Sequence, residues 1–351
     1  MTGYILLSDG LRLDGPLRGA AKTAMGYLVV NTGVVGFQEM ATDPAYKGGI
    51  LALTYPEICN VGVTEAFAES PQIQPAAMVV KVLSETESHY LAEGSLDGAL
   101  SKAGVPCLTG IDTRALAVHL REKGEMPAAV APADADPDDL AKKLSALARP
   151  EYEPSEAVDI GDGKTQPTVA VINLGVRRSL LEQLARHARV QVFAHDASAK
   201  DILSAKPAGE VVSDGPFDAL PPQKTVEMLG ELLGALPVLG CGLGHVALGA
   251  ALGCEPIRLS KGHHGANYPV RNSQSGKVVL TQQRHTTVLD RQSVETSKLA
   301  QLTWQNIQDG SVEGIATEDG RAVGFQDMLA APAPGATNPH LEEFIRRCLA
   351  E

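Results

Sequence analysis

The chain has 351 residues, 44% of them apolar and 21% charged, with a formal net charge of −12. That length accommodates two domains, each with its own core. The acidic balance and an aromatic share of only 4% argue against a nucleic-acid surface, which needs basic or stacking side chains. Cys59, Cys107, Cys241, Cys254 and Cys348 are scattered and odd in number, so they build no disulfide framework, and no C-x-x-C pair suggests zinc. Met1 leads straight into Tyr4-Ile5-Leu6-Leu7-Ser8-Asp9-Gly10, a strand and turn with neither a basic nor an apolar leader. No run of about 18 apolar residues occurs. A cytoplasmic protein without membrane association is the expectation.

Residues 1–75 alternate short apolar runs with turn signals, a β-rich or mixed start. By themselves the runs at 26–46 and 53–62 read as strands with polar turns. Asp112-Thr113 forms an N-cap for a helix over 114–122, whose Leu116 and Leu120 share a face. Residues 131–163 carry Pro, Ala, Asp and Glu in excess. A short helix near 137–147 is followed there by Pro150-Glu151-Tyr152-Glu153-Pro154, extended and acidic. The reading is a domain over 1–150, a linker over 151–166 and a second domain over 167–351.

The second domain opens with a buried strand (167–173), a glycine turn and an amphipathic helix (178–188). Strands at 190–194 and 210–213 and a helix at 225–233 follow. Such alternation implies a parallel sheet with helices on both faces. Leu236-Pro237-Val238-Leu239 is then a buried strand, Gly240-Cys241-Gly242-Leu243-Gly244 a tight corner, and 245–252 a small-residue helix. Strand, sharp turn and helix make a nucleophile elbow, which lifts one side chain at a helix N-terminus. The Leu243 N–H, with the turn around Gly215, is expected to offer an anion nest at the helix N-terminus, as every such helix does. Adjacent His263 and His264 diverge without a third ligand at useful spacing, so no metal is expected.

The corner resembles the nucleophile motif of class I glutamine amidotransferases, G-x-C-x-G-[HQ]-Q, through Gly240, Leu243, Gly244 and His245. The resemblance extends along nearly the whole chain to the small subunit of carbamoyl-phosphate synthase. Asn31-Thr32-Gly33 through Gln38-Glu39 to Thr42-Asp43-Pro44-Ala45-Tyr46, Thr54-Tyr55-Pro56, Gly110-Ile111-Asp112-Thr113-Arg114 and Lys261-Gly262-His263-His264-Gly265 carry it. It implies an α/β chain: an N-terminal mixed α/β domain, then a class I glutamine amidotransferase-like domain with a mostly parallel sheet. In that family the small subunit hydrolyses glutamine, and ammonia passes to a large subunit that uses ATP and magnesium to make carbamoyl phosphate for arginine and pyrimidine synthesis.

Glutamine hydrolysis needs a thiolate, a histidine and an orienting carboxylate. The aligned positions hold Gly242, then Met328 and Ala330 where the family has the histidine and glutamate of F-Q-x-H-P-E. Cys241 lies one residue early, and alternation aims it at the other face. The glutamine pocket is altered as well. Phe217 replaces a glycine in S-N-G-P-G-D, Val246 replaces a glutamine, and Ala45 stands at a serine-like position. Arg284, Thr286 and Thr287 interrupt Q-N-H-G-F. Gly215 and Leu243 remain as parts of this degenerate pocket. The expectation is a chain with no catalytic residues and no cofactor of its own, a structural or regulatory partner of a synthase large subunit. Two alternatives stay open: an active glutamine-hydrolysing subunit with another nucleophile, and a free-standing pseudoenzyme that binds a different small ligand.

Overall fold

The computed structural model describes residues 1–149, 152 and 167–350, so the expected linker over 151–166, Tyr152 excepted, lies outside the described residues. The chain forms two compact units: Met1–Pro150 with Ser260–Gly265, and Glu151–Leu259 with Ala266–Glu351.

The first unit is a closed barrel. Its strands are β1 (Thr2–Leu7), β2 (Arg12–Gly19), β3 (Ala24–Asn31), β4 (Ile50–Leu53), β5 (Ala77–Val79), β6 (Pro106–Leu108) and β7 (Met126–Pro132), in the order β1-β2-β6-β5-β4-β3-β7. Strands β3 to β6 pair in parallel, while β1 runs antiparallel to β2 and β7. Successive side chains leave a strand on opposite faces. Ile5 and Leu7 accordingly join Leu28, Ile50, Val79 and Leu108, whereas Tyr4 and Leu6 meet Leu140 and Leu144 of the helix Pro137–Ser145. The Asp112 carboxylate caps the helix Thr113–Lys123 by accepting from the Ala115 N–H at 2.9 Å.

One segment departs from the sequence reading. Ser260–Gly265, assigned there to the second domain, packs in the first unit. The physical reason is Glu125, whose carboxylate accepts from the Gly262 N–H at 2.8 Å and lies 3.2 Å from His264 Nε2. Buried donors of this kind are satisfied by the barrel rather than by neighbours in the sequence.

The second unit is α/β. Its strands are β8 (Thr168–Asn173), β9 (Arg189–Ala194), β10 (Gly209–Val212), β11 (Val238–Cys241), β12 (Pro256–Asn272), β13 (Val278–Leu289), β14 (Gln301–Asn306), β15 (Val312–Ala316) and β16 (Ala322–Phe325). They form one sheet in the order β9-β8-β10-β11-β16-β15-β14-β12-β13. The first five in that order are parallel, and β16, β15, β14 and β12 are joined antiparallel. Helices cover both faces of the parallel half, which is why its central strands are mostly apolar. Val169 and Val171 pack on Leu180, Leu184 and the C-terminal helix residues Leu341, Phe344 and Ile345. Ala170 and Ile172 pack on Met228, Leu229, Leu232 and the helix that follows β11. Among the described residues no helix is long and apolar enough to cross a membrane.

Candidate functional site

β11 ends at Cys241 and the next helix, Leu243–Ala251, starts one residue after Gly242. Gly242 therefore makes the corner alone, at φ 50° and ψ −114°. A side chain held there would carry strain of order 1–3 kcal/mol, which glycine avoids. The Gly242 N–H donates to the Phe325 carbonyl at 2.9 Å and its own carbonyl accepts from Val246 N–H at 3.2 Å. Gly244 lets the helix approach closely, because a Cβ there would strike the Val212 carbonyl. The elbow is fully formed.

Cys241 points to the opposite face, in the cluster with Val171, Leu239, Leu329 and Leu341. Burial first, then the charges of Asp214 and Asp327, hold its thiol far above the usual range. It is therefore protonated, and a thiol is a poor nucleophile. On the elbow helix, His245 is fully buried, and desolvation lowers it to about 3, so its imidazole is neutral.

The nest at the helix N-terminus is filled by Asp214, from the turn after β10. Its Oδ1 accepts from the Gly215 N–H at 2.8 Å and the Leu243 N–H at 3.2 Å. Its Oδ2 accepts from Arg284 Nη2 at 2.9 Å and Nε at 3.2 Å. A Cβ added to Gly242 would collide with this carboxylate. The space in which a nucleophile side chain would begin is thus already taken.

Electrostatics around Asp214 are balanced within the protein. Desolvation raises Asp214 to about 6, against the Arg177 charge and the N–H groups of Gly215 and Leu243. Asp327 is raised to about 7, by desolvation first and by Glu313 second, with the Leu329 backbone and Arg177 opposing. Burial lowers Arg284 to about 9, yet a guanidinium at that value is still charged at neutral pH. Asp214 and Arg284 are each under a tenth exposed, so solvent screens their attraction little.

The segment that aligns with the family's histidine and glutamate is held by its backbone. The Met328 N–H donates to the Gln282 carbonyl at 3.0 Å, and the Met328 carbonyl accepts from the Arg177 guanidinium. The Leu329 carbonyl accepts from Gln183 Nε2 at 3.1 Å and the Ala330 carbonyl from Asn338 Nδ2 at 3.0 Å. Neither a methionine nor an alanine side chain can accept or return a proton at neutral pH.

Of the expected pocket positions, the second unit brings Gly215, Leu243 and Arg284 together around the Asp214 carboxylate. Phe217 is buried, and its carbonyl accepts from the N–H groups of Thr286 and Thr287, at 2.6 Å and 3.2 Å. The backbone donors of those two residues are therefore engaged by the loop that carries Phe217. Val246 is fully buried in the core with Val212, Leu229 and Leu289, as an apolar side chain on the sheet-facing side of a helix is expected to be. Ala45 belongs to the first unit, in the turn Pro44–Tyr46, where its N–H donates to Asp43 Oδ1 at 2.9 Å.

Sequence reasoning missed Asp214 and Arg177. A signal for Asp214 was present: the S-N-G and Q-N-H patterns each carry a neutral asparagine, where this chain has Asp214 and Arg284. Two exchanges to opposite charge in separate segments are the mark of a buried ion pair.

Family models match both halves of the chain: carbamoyl-phosphate synthase small chain, CPSase domain, over residues 5–130, and glutamine amidotransferase class-I over residues 170–326. A carbamoyl phosphate synthase small chain from Methanopyrus kandleri is 37% identical, the alignment covering 99% of this chain and 99% of that one. The Bacillus caldolyticus protein of the same name is 32% identical over 98% of this chain and 96% of its own. A carbamoyl phosphate synthase pyrimidine-specific small chain from Lactiplantibacillus plantarum is 33% identical over 98% and 95%. With an intact elbow, matches in both domains and relatives aligned end to end, the chain belongs to the carbamoyl phosphate synthase small chain family.

Proposed function

We propose that this chain is a small chain that no longer hydrolyses glutamine and serves as a structural or regulatory partner of a synthase large chain. The observation that carries the reading is the corner itself. Gly242 stands at the nucleophile position, and the Asp214 carboxylate occupies the space where a side chain would start. Met328 and Ala330 leave no general base and no orienting carboxylate at the two aligned positions. Ammonia then reaches the large chain from solution. ATP and magnesium are the large chain's business, and carbamoyl phosphate is destined for pyrimidine or arginine synthesis in the cytoplasm. The retained turns around Asn31 and Asp112 support continued partnership, since the frame persists where the chemistry has gone.

The test is glutamate release by the purified chain, alone and with the large chain co-expressed. Removing the nucleophile from such a unit reduces turnover on the order of 10⁶-fold, so release at the uncatalysed rate is expected, with ammonia-dependent carbamoyl phosphate formation intact. A glutamine-dependent rate that Cys241→Ala abolishes, with the fold preserved, overturns the proposal. Co-elution of the two chains in size exclusion is expected; separate elution at micromolar concentration favours a free-standing protein.

A further inference from the structure

We infer that Asp214 is a tethered anion, a ligand built into the chain, which keeps the elbow site permanently occupied and closes it to free carboxylates. This deepens the reading of the site as non-hydrolysing and rests on it. Two backbone donors that converge at a helix N-terminus favour a negatively charged oxygen. Here both donors, from Gly215 and Leu243, converge on one Asp214 oxygen. The other oxygen takes two contacts from Arg284, a guanidinium only 3% exposed. Two amides and a guanidinium make a donor set for a small carboxylate, and the chain itself supplies that carboxylate.

Tethering changes what the site does. A free anion binds in proportion to its concentration and stabilises only the state it binds. An anion on the same chain has already lost its translational freedom, so it outcompetes a dissolved one at any ordinary concentration. The corner, the turn at Gly215 and the strand bearing Arg284 are therefore held together whether or not any ligand is present.

Asp214→Ala removes the tethered group and leaves its donors. Thermal unfolding of the full chain, titrated with sodium formate against sodium chloride at equal ionic strength, reads the consequence. The variant is expected to lose on the order of 5 °C in midpoint and to regain part of it saturably with formate, while the unsubstituted chain responds to neither salt differently. A folded variant whose formate response equals that of the parent overturns the inference. Should Asp214→Ala fail to fold, Asp214→Asn keeps the shape and removes the charge. Asp214→Asn is expected to lower the midpoint and Asp214→Asn with Arg284→Met to recover it, because the double variant no longer buries a guanidinium that has lost the Asp214 carboxylate. Equal midpoints for Asp214→Asn and the parent sink the idea. Glutamine turnover by the parent chain would sink the non-hydrolysing reading, and the formate titration does not depend on turnover, so the two failures are distinguishable.

Discussion

Asp214 and Glu210 lie four residues apart on one strand and its following turn, and burial raises both. Asp214 has two amides and a guanidinium around it and is raised to about 6. Glu210 is fully buried in β10, neither of its oxygens has a hydrogen-bond partner among the described residues, and desolvation raises it to about 8. Its register neighbours are Ala170 and Val238, which offer no side-chain donor. The fold thus provides for one carboxylate and tolerates the other by leaving it protonated. Donors preorganised by an elbow, rather than depth of burial, decide which acid is kept as a charge.

That contrast breaks most visibly at the ion pair. Arg284→Met removes the guanidinium hydrogen-bonded to Asp214, and halving a buried pair in this way costs about 3–5 kcal/mol. Urea unfolding at pH 8 should show it. Protonation of Asp214 relieves the uncompensated charge, so the deficit shrinks at pH 5. A deficit independent of pH would mean that Asp214 is not the partner that matters.

Repair of the elbow sharpens the contrast. Gly242→Cys with Met328→His and Ala330→Glu should give no glutamine turnover, because Asp214 still fills the nest and Phe217 the loop behind it. The introduced cysteine itself should destabilise by about 1–3 kcal/mol through its positive φ, before any collision is counted. Adding Asp214→Ala and Phe217→Gly is then required for turnover. Steady hydrolysis by the three-residue repair alone would show that the nest was never blocked.

Glu210 supplies the effect of opposite sign. Glu210→Leu removes an unpartnered polar group and should stabilise by about 1–3 kcal/mol at pH 8. A carboxyl raised in the folded state binds more protons there than in the unfolded chain, so stability falls as pH rises from about 4.5 to about 8. The gain from Glu210→Leu should accordingly be largest at pH 8 and fade toward pH 4.5, as read from unfolding midpoints across that range. A gain that grows on acidification contradicts a protonated Glu210.

The smallest effect belongs to Asp112, an exposed carboxylate that accepts one helix amide, as Asp214 does in the interior. Asp112→Ala should cost only about 1 kcal/mol in thermal or urea unfolding. A cost equal to that at Arg284 would remove burial as the distinguishing factor.

Much of this architecture is legible in the sequence, and the reasons differ by region. Most of the parallel strands are short, largely apolar runs, and the elbow announces itself through Gly240, Gly242 and Gly244. The Asp112 cap is local chemistry and reads directly. Ser260–Gly265 was assigned to the second domain by its place in the sequence, whereas the carboxylate that anchors it is Glu125, far away in the chain. Val246 entered the reading by alignment, and its burial in the core is what its apolar side chain and helical phase give. Asp214 was hidden because its meaning depends on Arg284, 70 positions away, and a pairing of that kind has no periodicity.

The residues 328 to 330 have one more consequence. Their three carbonyls are gripped by Arg177, Gln183 and Asn338, whereas the side chains of Met328 and Ala330 do none of the gripping. The path of this loop is consequently indifferent to what those two positions carry. A lineage can exchange a histidine and a glutamate there without paying in foldedness, so the reaction can be erased by neutral drift while the domain remains available for other employment.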